Sequence, residues 1–169
     1  MSQMFAARHP QRLLSLALCD TAARTNREIW QGRLQQARTN GIEPLVEPSV
    51  ERWFTAPFRE RNAILVDGIR QMIRKTSLEG YLGSGSAIME MDNAGLLSRI
   101  ATPTLVVVGK QDPATPLSEA EFLHANIAGS RLAVIDPAAH LPNIEQTQKF
   151  NNILEEFLEN HSKGSNKPV

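Results

Sequence analysis

The 169-residue sequence predicts an α/β fold with three parallel strands and a helical insertion. Three short runs are continuously apolar, which is typical of strands buried on both faces of a parallel sheet: Leu13–Leu18, Thr104–Val108 and Leu132–Ile135. Helical patterns lie between and after these runs, as in α/β layer structures. More than 80 residues separate the first two runs, which is too many for a bare loop in a compact domain, so they must form structure of their own.

Two helices are predicted around the second and third strands. The first covers Pro116–Ile127, with Thr115 as N-cap and Gly129 just past the end. The second is the C-terminal helix, where apolar residues recur on one face that must cover a sheet: Phe150, Ile153, Leu154, Phe157 and Leu158.

The insertion is predicted to be mostly helical and to span residues 26–92. One helix, 26–40, ends before Gly41, and short helical pieces follow around Pro44, Pro48 and Pro57. Another apolar stripe consists of Ile64, Leu65, Ile69, Met72 and Ile73. Thr76–Glu79 is a capping-box pattern that opens a further helix. Residues 1–25 and 93–160 are then the α/β core, and 161–169 a flexible tail.

Charge and composition favour a small molecule or another protein as partner. The 18 basic and 18 acidic residues cancel, so no overall field attracts nucleic acid or an anionic membrane. No run approaches the roughly 20 apolar residues that cross a bilayer. Arg8 and Arg12 precede an apolar run as in a signal peptide, but the run has no small-residue cleavage pattern. The lone Cys19 cannot form an internal disulfide, and we expect a cytoplasmic location.

The stretch "PTLVVVGKQDPATP" places Asp112 in a turn directly after a buried strand. In open parallel sheets, ligands bind beyond the carboxyl ends of the strands, so this is a functional location. An Asp in a Gly/Pro turn also commonly bonds its own backbone. The local pattern is compatible with both interpretations.

The stretch "DPAAHLPNIEQ" places His140 just beyond the end of the next strand. An imidazole there can donate one ring nitrogen to a carboxylate and use the other as a general base, as nucleophilic catalysis requires. Asp112 and His140 lie 28 residues apart, with one helix and one strand between them. We therefore expect the acid and the base to meet at one edge of the sheet.

The order of acid and histidine resembles the second half of the α/β-hydrolase pattern, in which nucleophile, acid and histidine follow one another along the chain. The segments "LLSLALCDTAAR", "ERWFTAPFR", "PTLVVVGKQDPATP" and "AAHLPNIEQ" resemble the 3-oxoadipate enol-lactonase group, whose members hydrolyse a small enol-lactone in bacterial aromatic catabolism. The likeness covers residues 1 to about 158. It implies the C-terminal part of an α/β-hydrolase fold, with residues 26–92 as the cap that covers the active site and shapes substrate choice.

This resemblance assigns candidate roles to individual residues. Asp112 matches the acid and His140 the histidine, while Asp20 competes for the acid role because it also ends a strand. Trp53 is a candidate substrate contact in the cap, although a tryptophan there also serves as core. The other histidines, His9, His124 and His161, are expected to be structural or solvated. An acidic product suggests a cationic residue in the pocket, but nothing selects among Arg52, Arg59, Arg61, Arg70 and Arg74.

No Gly-x-Ser-x-Gly motif occurs in the 169 residues. The nearest imitation, "GSGSAI" at 83–88, has the wrong spacing and lies in the predicted cap. On the family pattern the nucleophile is expected a few residues before Met1, together with the oxyanion-hole loop and the earlier strands. Ser2 lies well along the following helix and is no substitute.

Three functional hypotheses follow. The first is a lactone or carboxylic ester hydrolase with a Ser-His-Asp mechanism, whose nucleophile lies outside the printed chain, and which needs neither metal nor organic cofactor. The second is an inactive remnant or binding module that self-associates through an exposed sheet edge. The third keeps the fold but changes the reaction to that of another capped esterase or a carbon–carbon hydrolase.

Overall fold

The computed structural model describes residues 1–162, and these form two compact units. The first unit contains Met1–Ala23 and the described residues from Asn93 to Ser162, and the second contains Arg24–Asp92. The predicted tail began at residue 161, but His161 belongs to the last helix, and residues 163–169 lie outside the described part. No helix in residues 1–162 is long and apolar enough to cross a membrane.

Helices and strands alternate in the first unit, whereas the second is helical. The strands are β1 (Leu16–Cys19), β2 (Thr104–Gly109) and β3 (Arg131–Ile135). The α-helices within residues 1–162 are α1 (Ser2–Arg8), α2 (Arg27–Asn40), α3 (Val46–Trp53), α4 (Ala56–Arg61), α5 (Ala63–Arg74), α6 (Leu78–Met89), α7 (Leu117–Asn126), α8 (Pro142–Glu145) and α9 (Thr147–Ser162). Short 3₁₀ helices cover Pro10–Arg12, Glu43–Leu45 and Ala94–Arg99.

Within residues 1–162 the sheet has three parallel strands in the order β1-β2-β3, which confirms the predicted fold class. Leu18 pairs with Val106 on one side of β2, and Leu132 pairs with Val106 on the other. The first strand begins three residues later than predicted. Leu13 ends the 3₁₀ turn instead, and Leu14 is 65% exposed.

The central strand β2 is buried along its whole length, and its side chains alternate between two apolar clusters. Val106 and Val108 face one cluster, together with β1, α1 and α7. Leu105 and Val107 face the other, where Phe157 of α9 packs. Burial on both faces explains why the sequence of β2 is continuously apolar rather than alternating.

Two details of the helices that flank the sheet differ from the predictions. The N-cap of α7 is Pro116 rather than Thr115, whose hydroxyl donates to Asp112 instead. In α9, Phe157 is buried, but Leu158 is 42% exposed and does not join the stripe on the sheet. Gly129 lies just past the end of α7, as predicted, and has a positive φ of +70°.

The second unit is organised by close packing of α2 against α6. Asn26 caps α2 by accepting a hydrogen bond from the Ile29 amide, and Leu34 is almost fully buried. Gly85 permits the close approach, because a Cβ there would lie 2.6 Å from the Leu34 side chain and 3.3 Å from the Trp30 ring. At the ends of the unit, Arg24 and Asp92 form an isolated antiparallel bridge.

Two predictions inside the second unit were wrong in detail. The stripe on α5 is mostly exposed: Val66 and Ile73 are buried, whereas Ile64 is 92% exposed and Met72 56% exposed. The cap of α6 is Ser77, which accepts from the Gly80 amide, rather than Thr76 of the predicted capping box.

Candidate active site

The loop after β2 fixes the carboxylate of Asp112 from several sides. The strand ends at Gly109, whose carbonyl accepts the Asp112 amide at 3.1 Å. The Oδ1 atom accepts from the amides of Ala114 at 2.7 Å and Thr115 at 3.2 Å. The Oδ2 atom accepts from the Thr115 hydroxyl at 2.7 Å. Asp112 therefore accepts hydrogen bonds from its own turn and can still accept one more from another residue.

The loop after β3 is tied to the same edge of the sheet through Gln111. The Gln111 amide donates to the Ala138 carbonyl at 2.9 Å, and the Ala138 amide donates back to the Gln111 side chain at 2.8 Å. The next amide, Ala139, donates to the Glu145 carboxylate at 2.6 Å. These bonds hold the backbone on the N-terminal side of His140.

Gly109 allows the two loops to come together. A Cβ on this residue would lie 1.9 Å from the carbonyl oxygen of Ala139 and 2.6 Å from that of Ala138. Both neighbours are backbone atoms, which cannot turn aside as a flexible side chain can. The strand must therefore end in glycine for the loop before His140 to approach β2.

Asp112 and His140 meet in a short hydrogen bond. The His140 Nδ1 atom lies 2.8 Å from Asp112 Oδ2. Because an ionised carboxylate can only accept, Nδ1 carries the hydrogen. The Asp112 side chain is fully buried, whereas the His140 side chain is 25% exposed, so the imidazole reaches toward solvent from a buried anchor. No residue within 1–162 is bonded to its Nε2 atom, which is then available as an acceptor.

The environment of Asp112 favours its ionised form. Burial alone raises the pKa of this carboxyl group, but the hydrogen bond and charge of His140, with the bonds from Thr115 and Ala114, lower it below its usual value. A buried carboxylate that accepts from an imidazole N–H fixes the ring's tautomer and orientation. Asp112 and His140 thus have the geometry of an acid and base pair that can accept a proton at Nε2.

Asp20 lies at the end of β1, next to this pair. Its Oδ1 atom accepts the Gly109 amide at 2.9 Å, and its backbone has φ +43°. Burial raises the pKa of Asp20 to about 7; the Gly109 amide opposes this rise, Asp112 adds to it, and His140 opposes it. The structure gives His140 a hydrogen bond to Asp112, not to Asp20.

Asp20, Asp112 and His140 are also the described residues that could approach a metal ion together, because one donor atom from each lies within 4.8 Å of the others. The bonds already made argue against such use. Both oxygens of Asp112 accept hydrogen bonds, and Nδ1 of His140 donates one. These hydrogen bonds arrange the three side chains for proton transfer rather than for binding a metal ion.

The remaining histidines have local partners. His9 ends α1 with its ring 5.2 Å from that of Phe5. His124 lies 2.9 Å from the Ser130 hydroxyl, and His161 donates to the Phe157 carbonyl at 2.7 Å. All three contact residues of their own helix or of the turn that follows it.

Trp53 is partly buried and is the last residue of α3 in the second unit, where its predicted contact with substrate stays a prediction. Arg70 and Arg74, two of the candidate arginines, pair with Glu47 and Glu43 at 2.6 and 2.9 Å.

Two supporting residues were missed by reasoning from the sequence. Thr115 was assigned to capping α7, yet it donates to Asp112. Gln111 joins the two loops and was given no role. The signal for Thr115 was present, because a threonine three residues after an Asp in a turn can return a hydrogen bond to it. Nothing in the sequence marks the pairing of Gln111 with Ala138, which depends on the register of two distant loops.

Comparison with known proteins gives consistent matches. A family model described as alpha/beta hydrolase fold matches residues 1–147. The 3-oxoadipate enol-lactonase 2 of Acinetobacter baylyi is 34% identical over 157 residues, which are 92% of this chain and 58% of that protein. The crystal structure of the enol-lactonase from Burkholderia xenovorans LB400 superposes with a TM-score of 0.91 at 36% identity, over 94% of this chain and 61% of that one.

A thermophilic esterase from Thermogutta terrifontis is also similar, with a TM-score of 0.86 at 30% identity, over 94% of this chain and 61% of the esterase. The chain therefore spans about three fifths of the length of these relatives, from 58% to 61%.

Proposed function

The chain belongs to the alpha/beta hydrolase fold family, and from this membership we propose that it is part of a hydrolase of a small lactone or carboxylic ester. The similarity to two enol-lactonases, at 34% and 36% identity, favours an enol-lactone over other substrates. The similarity to an esterase, at 30% identity, supports the broader class of ester bonds.

The observation that carries the proposal is the hydrogen bond of 2.8 Å between His140 Nδ1 and the buried Asp112 carboxylate. The two residues follow neighbouring parallel strands, and Nε2 points to no other partner among residues 1–162. A histidine held in this way can remove a proton from a nucleophile on its other side.

In the proposed reaction, a serine hydroxyl attacks the carbonyl carbon of the lactone while His140 Nε2 takes its proton. The ring oxygen leaves when the tetrahedral intermediate collapses, and it receives that proton, so an acyl-enzyme forms. His140 then removes a proton from water as the water oxygen attacks the acyl group. When this second tetrahedral intermediate collapses, the imidazolium returns the proton to the serine oxygen, and the released acid ionises to a carboxylate. Asp112 stays ionised and stabilises the imidazolium that forms in each step.

The serine of this mechanism is proposed to lie upstream of Met1, since the printed sequence contains no Gly-x-Ser-x-Gly motif. The coding DNA before Met1 provides the first test, and an in-frame Gly-x-Ser-x-Gly within the preceding codons is the expected result. An upstream reading frame without such a motif would contradict this version of the proposal.

The decisive measurement compares the extended protein with its His140→Ala variant on an enol-lactone and on p-nitrophenyl esters. We expect the variant to lose activity by about 10³-fold or more, as removal of a triad member does. His124→Ala is the matched control and should retain activity, because His124 bonds only within its own helix and the turn that follows. A His140→Ala variant as active as the parent protein would overturn the assignment of His140 as the base.

A second candidate function for the 169-residue chain is self-association. Among the described residues, β1 pairs only with β2, so its other edge has no strand partner. Beside it lies an open, mostly apolar groove, which is lined by Met1, Ser2, Met4, Phe5, Arg8, His9, Leu13 and Leu16. An unpaired edge next to exposed apolar side chains is a template for another copy of the chain.

A further inference from the structure

Thr115 bonds both oxygens of the Asp112 carboxylate. Its backbone amide donates to Oδ1 at 3.2 Å, and its hydroxyl donates to Oδ2 at 2.7 Å. The other two donors each reach one oxygen, since the Ala114 amide binds Oδ1 and His140 Nδ1 binds Oδ2. The torsion that turns a carboxylate about its Cβ–Cγ bond is soft. A residue bonded to both oxygens opposes this rotation and so fixes the direction in which Oδ2 faces the imidazole.

The hydroxyl of Thr115 also lies beside the histidine ring, with its oxygen 3.5 Å from His140 Nδ1. A hydroxyl has one hydrogen and an ionised carboxylate can only accept, so that hydrogen lies on the bond to Asp112 Oδ2. The lone pairs of the hydroxyl oxygen are therefore left near the Nδ1 hydrogen. This hydrogen has a main acceptor in Asp112 and a more distant one in Thr115.

The hydrogen bonds to the Asp112 carboxylate leave no position for solvent. An ionised carboxylate offers about four acceptor positions, and here two donors bind each oxygen. The Asp112 side chain is fully buried, and Thr115 is partly buried. Loss of a donor to a buried charged group is costly because the group keeps its charge and gains no water in exchange. Water therefore cannot readily take the place of the Thr115 hydroxyl.

The bond from Thr115 also matters for where the proton stays. Burial raises the pKa of Asp112, but the bonds from His140, Thr115 and Ala114 together lower it below its usual value. A carboxylate of low pKa leaves the hydrogen on Nδ1 when the ring becomes an imidazolium, as a Ser-His-Asp mechanism requires.

We propose that Thr115 is a positioning residue of the acid and base pair, whose hydroxyl fixes the Asp112 carboxylate and thereby holds the His140 ring in one orientation. Thr115 acts through Asp112 and touches none of the reacting atoms. The inference rests on the proposed function, because the orientation of the ring affects a reaction only if His140 is its base. The orientation itself is a property of the 169-residue chain and can be measured without turnover.

The first measurement follows exchange of the His140 Nδ1 hydrogen with water, by NMR of the 169-residue chain with labelled imidazole nitrogens. The His140→Ala variant identifies the signal. Thr115→Val removes the hydroxyl but keeps the branched shape, so it leaves no room for a water molecule. We expect exchange to become about tenfold faster or more in this variant, because the carboxylate is free to rotate. Thr115→Ser keeps the hydroxyl and should stay within about threefold of the parent.

The matched control is Thr39→Val, which makes the same chemical change at the exposed end of α2. The Thr39 hydroxyl accepts from the Gln35 side chain at 3.4 Å, in the other unit of the chain. This variant should exchange the Nδ1 hydrogen at the parent rate, and circular dichroism will show that each variant keeps its helices. Parent-like exchange in Thr115→Val would overturn the proposal. Exchange in Thr115→Ser as fast as in Thr115→Val would also overturn it, because the methyl group would then be responsible.

The second measurement uses a longer protein that carries the proposed upstream serine. We expect Thr115→Val to lower kcat by about tenfold and to leave KM within about twofold, since Thr115 does not touch the substrate, while Thr115→Ser restores most of kcat. An active parent whose Thr115→Val variant keeps full kcat would overturn the positioning role. An inactive parent would instead overturn the proposed function, and the exchange rates would still decide whether Thr115 positions the pair.

Discussion

At the scale of the residue, Asp112 and Asp20 show how two carboxyl groups a few ångströms apart acquire different properties. Asp112 accepts hydrogen bonds from His140, Thr115 and backbone amides, and these bonds lower its pKa. Within residues 1–162, the Asp20 side chain accepts a hydrogen bond from the Gly109 amide alone, and burial raises its pKa to about 7. The number of donors, rather than the depth of burial, separates the two groups.

This difference predicts which carboxylate supports catalysis. In a longer protein that carries the proposed upstream serine, we expect Asp112→Asn to lower kcat by about 10³-fold to 10⁴-fold, because the amide would favour the wrong tautomer of His140. Asp20→Asn should lower kcat by less than about tenfold, since Asp20 makes no hydrogen bond to the imidazole. Steady-state kinetics on an enol-lactone measures both, and the reverse order of effects would identify Asp20 as the acid.

Asp20 also predicts a dependence of stability on pH. An unfolded Asp has a pKa of about 3.9, whereas that of folded Asp20 is raised to about 7. Between these values the folded state binds more protons, so the Asp20 contribution to the free energy of unfolding falls as pH rises from about 4 to 7 and is constant above. Asp20→Asn should therefore stabilise the protein by on the order of 2 kcal/mol at pH 8 and by much less at pH 4.

Urea denaturation at several pH values measures this difference. Asparagine tolerates the positive φ of residue 20, so the substitution introduces no new strain. Asp67→Asn, on the exposed face of α5, is the matched control and should give a difference that does not grow with pH over this range. A stabilisation by Asp20→Asn that is the same at pH 4 and pH 8 would exclude a raised pKa.

At the scale of the element, the sequence predicts which residues share a face better than it predicts what covers that face. The stripe on α9 was predicted to cover a sheet, and Phe157 does pack on β2. The stripe on α5 has equally clear periodicity, yet Ile64 and Met72 are exposed while Val66 is buried. Periodicity is a property of one helix, whereas burial depends on the helices beside it.

Helix caps also show that a segment predicts its local bonds better than its bonds to distant residues. Asn26 and Ser77 each cap a helix by accepting from an amide three residues later. Thr115 has an equally suitable side chain, but it lies one residue before the N-cap of α7, and its hydroxyl donates to Asp112. Competition between local and distant partners cannot be read from a segment alone, so the position of the candidate pair was predictable and its supporting bonds were not.

The end of β2 supports a prediction about Gly109. Gly109→Ala should destabilise the protein by at least about 3 kcal/mol, because the new Cβ would overlap the backbone of the loop before His140. The backbone oxygen of Ala139 lies 1.9 Å from that Cβ position. Thermal and urea unfolding will give the free energy.

Gly68→Ala within α5 is the control for that substitution. No atom lies within 4 Å of its Cβ position. Alanine is a better helix former than glycine, so this change should stabilise by about 0.5–1 kcal/mol. A Gly109→Ala protein as stable as the parent would show that the loop can withdraw from the strand.

At the scale of the whole molecule, the outer edge of β1 predicts association of the 169-residue chain. Leu14 is 65% exposed and Phe5 is 41% exposed beside this edge. We expect size-exclusion chromatography with light scattering to show oligomers that increase with concentration. A monodisperse monomer at high concentration would contradict this expectation.

A charge on the edge should weaken the association. Ala17 is an exposed residue of β1, and Ala17→Lys places an ammonium group on the strand. We expect a shift toward monomer, because lysine on an edge strand opposes pairing with another strand. Asn151→Lys adds the same charge at an exposed position of α9 and should leave the oligomer distribution unchanged.

The ends of the helical insertion have a consequence for how such a protein can diversify. The Asn93 amide donates to the Ala23 carbonyl at 2.8 Å, and Arg24 and Asp92 form an antiparallel bridge. The chain thus departs from the sheet-containing unit and rejoins it at adjacent backbone positions. Recombination at these two positions can therefore replace residues 24–92 by a segment of another length or sequence. The register of β1 and β2 and the hydrogen bond between Asp112 and His140 would be retained.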